Sequence, residues 1–155
     1  MSNVLIGIIG VILFIGLALA GALILGDDFK SASRDSKVTN LTAKMQQMAN
    51  GLDMYNIKTG RQYPAMTDIY HDATLVPRFI KQPYFEPEGG GGPIIYMYAG
   101  QRYLVLGALS EAMCKGINLN VFGNETIPDV PQTSVPTGSL GCMSTTGNRM
   151  IYVKM

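Results

Sequence analysis

The chain has 155 residues, enough for one domain with its own core and short for two. Apolar residues make up 47% and charged residues only 15%, with a net charge of +1. That balance excludes the basic footprint of a nucleic-acid binder and the acidic bias of a disordered, solvating chain.

The charge is unevenly spread. Residues 1–26 carry none, so all 12 Lys/Arg and all 11 Asp/Glu lie beyond them. Val4 to Leu25 reads VLIGIIGVILFIGLALAGALIL, and as a helix it spans roughly 33 Å, about a bilayer core. Fifteen of its residues are Leu, Ile, Val or Phe. Together they favour membrane insertion by roughly 5–9 kcal/mol. The run predicts a membrane-inserted helix or an equally apolar assembly helix. A cleaved secretory signal is the competing reading, since Ala18-Leu19-Ala20 matches a small-residue cleavage site. Against it, no basic segment precedes the run, and the run exceeds a typical signal core. Asp27 and Asp28, mixed with Lys30, Arg34 and Lys37, give a weak orientation signal that mildly favours the C-terminal side inside. A disulfide farther along would outweigh it, by placing that side in an oxidising compartment.

Gly7, Gly10, Gly16 and Gly21 each cost about 1 kcal/mol against Ala in an aqueous helix. In an apolar setting small residues let helices approach closely, and Gly16/Ala20 and Ala18/Ala22 are small-xxx-small pairs. Leu5, Ile6, Gly7, Ile9, Gly10, Leu13, Gly16, Leu17, Ala20 and Gly21 are the candidate residues for packing between copies of the helix.

Beyond Gly26 the sequence turns polar but keeps a helical period. Val38, Leu41, Met45, Met48, Leu52 and Tyr55 fall three or four residues apart and form one apolar face. Gly60 suits the position just past the helix end, and Pro64 prevents resumption. A short coiled coil is the alternative, but packing against a sheet fits better, because the stripe spans under three heptads. The organisation expected is an apolar helix over 1–26, an amphipathic continuation over 27–60, and a globular head over 61–155.

Residues 61–92 lack a period and contain four prolines and Gly89 to Gly92. They read as a long loop with a short helical turn near Thr67 to Val76. The glycines are followed by Pro rather than by Lys-Ser/Thr, so they are not a phosphate-binding loop. Ile94–Tyr98 and Tyr103–Leu106 read as a hairpin turning at Gly100-Gln101 in a type II′ bend. A short helix follows in SEAMCKGIN, with Ser110 as N-cap. Gly123 to Asn148 reads as a loop, and Met150–Val153 as a third strand. The fold class is α+β: a long N-terminal helix, its apolar half protruding, on a small antiparallel sheet.

Cys114 and Cys142 are the only cysteines and His71 the only histidine. The cysteines either close a bridge, worth roughly 3–4 kcal/mol through chain entropy, or are two buried free thiols. Neither a metal-ligand spacing nor a nucleophile motif is present. Glu86 and Glu88, or Asp27 and Asp28, do not make a credible acid/base pair. Asn40-Leu41-Thr42 and Asn124-Glu125-Thr126 match glycosylation sequons. No enzymatic activity, metal or cofactor is expected.

The order of parts resembles the type IV pilins over nearly the whole chain. These parts are the uncharged apolar helix, its amphipathic extension ending near DMYNIKTGRQYP, a loop, a hairpin, and a Cys-bounded segment before the last strand. SEAMCKGIN, with its Cys on a helix, is similar to the type IVb branch, which includes conjugative thin pili. The resemblance implies a precursor in the inner membrane, a leader cut by a prepilin peptidase, and methylation of Met1. It further implies a helical homo-oligomer built by a pilus assembly machinery into an extracellular fibre. Residues 61–92 would be the αβ-loop and 114–142 the exposed D-region, presenting loops for adhesion or cell–cell contact. One departure stands out. The family carries Glu at position five, where it neutralises a neighbour's terminal amine; here the residue is Leu5, and no acid precedes Asp27. The departure points to an atypical major subunit or a minor one.

Overall fold

A computed structural model describes residues 2–65, 69, 74–75, 78–80, 92–131, 134 and 136–155, with backbone alone for 2–6 and 22–29. Met1, His71, Glu86, Glu88, Gly89–Gly91 and most of the turn expected near Thr67–Val76 lie outside the described residues. The side chains of Leu5, Ile6, Ala22, Asp27 and Asp28 do too. The chain forms two compact units, Met1–Ser36 and Lys37–Met155.

Helix α1 (Ser2–Thr59) supplies the first unit and opens the second. Within the second unit its apolar period is a buried stripe. Val38, Met45, Met48 and Leu52 are buried, and Leu41 and Tyr55 are half-buried against the same cluster. The helix stops where the sequence provides a left-handed residue. Gly60 has φ 65° and donates its N–H to the Asn56 carbonyl at 2.9 Å, satisfying an end group that would otherwise be orphaned.

The sheet contains β1 (Ile94–Tyr98), β2 (Gln101–Leu106), β3 (Leu140–Thr145) and β4 (Asn148–Lys154), in the order β1-β2-β4-β3. Every neighbouring pair is antiparallel. Helix α2 (Glu111–Phe122) joins β2 to β3. Strand alternation divides the apolar side chains between two faces. Ile95, Leu104, Leu106, Leu140, Cys142, Ile151 and Val153 join the α1 stripe and the Met113, Cys114 and Ile117 side of α2 in one core. Tyr98, Tyr103, Val105, Met143 and Tyr152 form a second cluster on the opposite face, with Val130 from the loop before β3. The class is α+β, with helix packed on a small antiparallel four-stranded sheet.

Two glycines allow close approach. A Cβ on Gly116 would sit 2.9 Å from Val38 Cγ2, so α2 can lie against α1 only without a side chain there. A Cβ on Gly51 would sit 2.9 Å from the Phe79 carbonyl oxygen, which is how residues 78–80 reach the helix. After α1 the chain is pinned from two sides. Tyr55 meets Tyr63 and Phe79 edge-on, with ring centroids 5.7 and 5.5 Å away. Arg102 on β2 donates to Gln62 Oε1 at 2.7 Å and to the Tyr63 carbonyl.

The structure corrects three expectations. The first hairpin turns at Ala99-Gly100, with φ 46° and 79°, rather than at Gly100-Gln101. Two consecutive positive φ values match the right-handed twist of the strands, and Tyr98 pairs with Gln101. The segment expected as a loop from Gly123 to Asn148 contains β3, which makes four strands, not three. A second two-residue turn, Thr146-Gly147 with φ 49° and 81°, links β3 to a longer final strand. Helix α2 runs on beyond Asn118 to Phe122, where Gly123, at φ 70°, donates its N–H to the Leu119 carbonyl at 3.0 Å.

Candidate functional site

In the first unit, every side chain from Gly7 to Ala20 is exposed and Gly21 is half-buried. The large ones are far from covered: Ile9 is 50% exposed, Leu13 61%, and Phe14 and Leu17 74% each. Apolar area left in water costs about 25 cal/mol per Å², so covering these side chains would be favourable. A Cβ added at Gly7, Gly10, Gly16 or Gly21 would meet nothing within 4 Å among the described residues. Each glycine weakens the helix, yet among the described residues none of them makes room for a neighbour. Among the described residues no helix is long and apolar enough to cross a membrane. The part of the run with described side chains, 7–21, is shorter than the roughly 20 residues a span requires.

In the second unit, Cys114 on α2 and Cys142 on β3 form a disulfide, with Cα atoms 5.3 Å apart and both residues fully buried. Of the two alternatives for the cysteines, the bridge is the one formed. It ties the helix to the strand beside it, and a neighbouring side chain reinforces it. Asn118 lies one turn beyond Cys114, on the same buried face. Its Nδ2 donates to the Cys142 carbonyl at 2.8 Å and to the Thr126 carbonyl at 2.7 Å. Its Oδ1 accepts the Cys142 N–H at 2.7 Å. A helix side chain thus acts as one rung of a β-ladder on the outer edge of β3. The next rung comes from the loop: Ser144 N–H donates to the Pro128 carbonyl at 2.9 Å, and Val130 N–H to the Ser144 carbonyl at 2.8 Å.

The far face of the sheet is a ladder of tyrosines. Tyr98, Tyr103 and Tyr152 stand edge-to-face at 5.8 and 6.0 Å, and Tyr96 leans on Tyr98 at 4.8 Å. Such pairs contribute roughly 0.5–1.5 kcal/mol beyond burial alone. Burial pushes the Tyr152 phenol up to about 12, with the Tyr103 hydroxyl adding to the effect. Its hydroxyl donates to the Thr137 carbonyl. Burial also raises Tyr103, and raises Tyr98 despite a hydrogen bond from Thr145 that acts the other way.

At the exposed start of α2, Glu111 bonds Lys115 at 2.8 Å and Arg149 at 3.2 Å. The Lys115 hydrogen bond, then the charges of Lys115 and Arg149, hold the Glu111 carboxyl below its usual range. Exposed pairs of this kind contribute little to stability. Among the described residues no group of three His, Cys, Asp or Glu comes together to hold a metal.

Sequence reasoning named the disulfide residues and the buried α1 stripe. It missed Asn118 and the tyrosine face. The available signals were the four-residue spacing of Cys114 and Asn118, and the alternation of Tyr96, Tyr98 and Tyr103 across the hairpin. Compared with known protein families, curated proteins and solved structures, the chain matches none.

Proposed function

We propose that the chain is the structural subunit of a type IV pilus-like filament that polymerises through its N-terminal helix. On this reading the chain is held in the inner membrane before assembly by the apolar half of α1. It then enters an extracellular fibre in which apolar helices from many copies share a core. The observation that carries the reading is the uncharged, exposed helix surface over 7–20. Burying a Leu, Ile, Val or Phe yields roughly 1.5–3 kcal/mol each. Nine such residues between Ile8 and Leu19 are at least half exposed, so helix–helix contact offers more than 10 kcal/mol per subunit before association costs. The otherwise idle glycines let neighbouring helices close in. The disulfide-tied head suits exposure to an oxidising exterior, where its loops would meet other surfaces. Residues 1–26 carry no acid, so on this reading apolar burial is the driving term of docking.

The test is whether purified extracellular fibres contain this chain and whether Ile9→Lys abolishes them. A lysine in a packed apolar core lacks a partner and costs several kcal/mol per subunit. Fibres that persist with Ile9→Lys would sink the core-packing account. A wild-type chain found only in the membrane fraction, and released only by detergent, would favour a single-pass anchored binding module. A chain clipped near Gly21 would favour a secreted adhesin.

A further inference from the structure

We propose that the end of the sheet's tyrosine face is a binding cleft for a neutral saccharide. The inference concerns the second unit alone and stands whether or not the chain polymerises. A cleft of about 320 Å³ opens where β1 begins, β2 ends and the β3–β4 hairpin turns. That is at the low end of the roughly 300–1,000 Å³ found for small-ligand sites.

Its chemistry selects the ligand class. None of its described lining residues is acidic or basic, so the described wall favours an uncharged ligand. The floor is apolar and aromatic: Tyr98 and Val105 are buried, while Tyr96 and Met150 are half-buried. The half-buried Tyr96 ring leans on the buried Tyr98 ring at 45° with centroids 4.8 Å apart, which holds the Tyr96 ring in place at the cleft. An aromatic face carries negative quadrupole density, and the C–H face of a pyranose is apolar with weakly positive hydrogens. The Tyr98 hydroxyl is already engaged with Met150 Sδ at 3.2 Å, so that ring serves as floor.

The rim supplies polar groups held in place. Asn148 Oδ1 accepts the Ala108 N–H at 3.0 Å, which fixes the amide and leaves both Nδ2 hydrogens without an acceptor among the described residues. A Cβ on Gly107 would lie 3.2 Å from that nitrogen, so the bare glycine keeps the amide approachable. Thr146 Oγ1 donates to the Thr145 carbonyl at 2.7 Å and keeps its lone pairs for a ligand hydroxyl. An amide donor and a hydroxyl acceptor beside an aromatic ring suit adjacent hydroxyls of an uncharged sugar. A peptide strand would need an open ladder, and this cleft sits at strand ends instead. Two of the three non-glycine residues with positive φ among the described residues, Ala108 at 59° and Thr146 at 49°, border the cleft. Such conformations cost roughly 1–3 kcal/mol each and gather at ligand clamps.

The experiment is saturation-transfer NMR on the full chain in phosphocholine micelles, since glycoside detergents would compete. The probes are methyl galactoside, glucoside, mannoside and N-acetylglucosaminide, with a sialoside and a sugar phosphate alongside. The expected result is transfer from protein to the ring C–H protons of at least one neutral probe, with shifts at the Asn148 amide. Tyr96→Ala should weaken that binding about tenfold, and Tyr96→Phe should retain most of it. Binding of no neutral probe, preference for the charged probes, or unchanged affinity in a folded Tyr96→Ala chain would each overturn the proposal. If Tyr96→Ala does not fold, shift mapping on the unaltered chain decides, and perturbations confined to other residues would overturn it.

Discussion

Replacing Asn118 with alanine should be among the most damaging single changes in the second unit. The side chain is fully buried and makes three hydrogen bonds of 2.7 to 2.8 Å. Its loss leaves the N–H and C=O of Cys142 without their partner, at a residue that is itself 0% exposed. An unsatisfied buried backbone group costs about 1–3 kcal/mol. Two such groups, together with the lost Thr126 contact, put the destabilisation at about 3–5 kcal/mol. Most single substitutions cost about 0.5–3 kcal/mol, so this lies in the diagnostic tail. The assay is urea unfolding, with a midpoint about 2 M lower at unchanged slope for a slope near 2 kcal/mol/M. Hydrogen exchange at the Cys142 amide, protected in the parent, should accelerate. Asn118→Leu separates volume from bonding: it fills the space yet leaves the same groups unpaired, so it should remain well below the parent. A loss under about 1 kcal/mol for alanine, or full stability with leucine, would refute the ladder-rung argument.

Reducing the disulfide, or replacing both cysteines with alanine, should cost about 3.5 kcal/mol on the chain-entropy account of a 28-residue separation, read by calorimetry with and without reductant. The tyrosine face predicts loss of stability in base. An unfolded phenol ionises near 10 while Tyr152 holds its proton to about 12, so the folded state binds more protons in between. Stability is therefore complete below pH 10 and falls as pH rises through 12, and Tyr152→Phe should flatten that fall when unfolding is followed against pH. Ala99→Asn places Asn-Gly in a turn that already has two positive φ values, and should raise stability by about 0.5–1 kcal/mol in thermal melts. A neutral or negative effect would mean the turn is not strained.

Elements whose apolar residues face one way were legible in the sequence. The α1 stripe and the Ser110-capped start of α2 each present a one-sided pattern with a clear boundary signal, while the β1–β2 hairpin showed through two β-branched and aromatic runs on either side of a glycine. Ser110 Oγ accepts the Met113 N–H at 3.3 Å, as its place before an acidic first turn suggests. Strand β3 was illegible for the opposite reason. Leu140 to Met143 are buried on both faces of the sheet, so LGCM shows no alternation, and its small residues read as loop. Its turn was hidden too, because a β-branched Thr146 at positive φ is not a turn signal. The end of α2 was obscured because Leu119, Val121 and Phe122 are exposed apolar residues and break the amphipathic period. Asn118 drew no reading of its own, because a sequence does not reveal that a strand edge waits beside it. The tyrosine cleft depends on strands 50 residues apart and on the β3 hairpin, so no local pattern announces it.

The outer side of β3 has a consequence for a protein that would live crowded among its own copies. An uncovered strand is a template on which a second molecule can stack, and dense arrays give such errors every chance to spread. Here the main-chain groups of Cys142 and Ser144 that point away from β4 are already taken by Asn118, Pro128 and Val130. At these two residues a chance encounter finds no free main-chain hydrogen bonds to make. On the filament reading proposed above, self-association would be steered away from this part of the sheet's border.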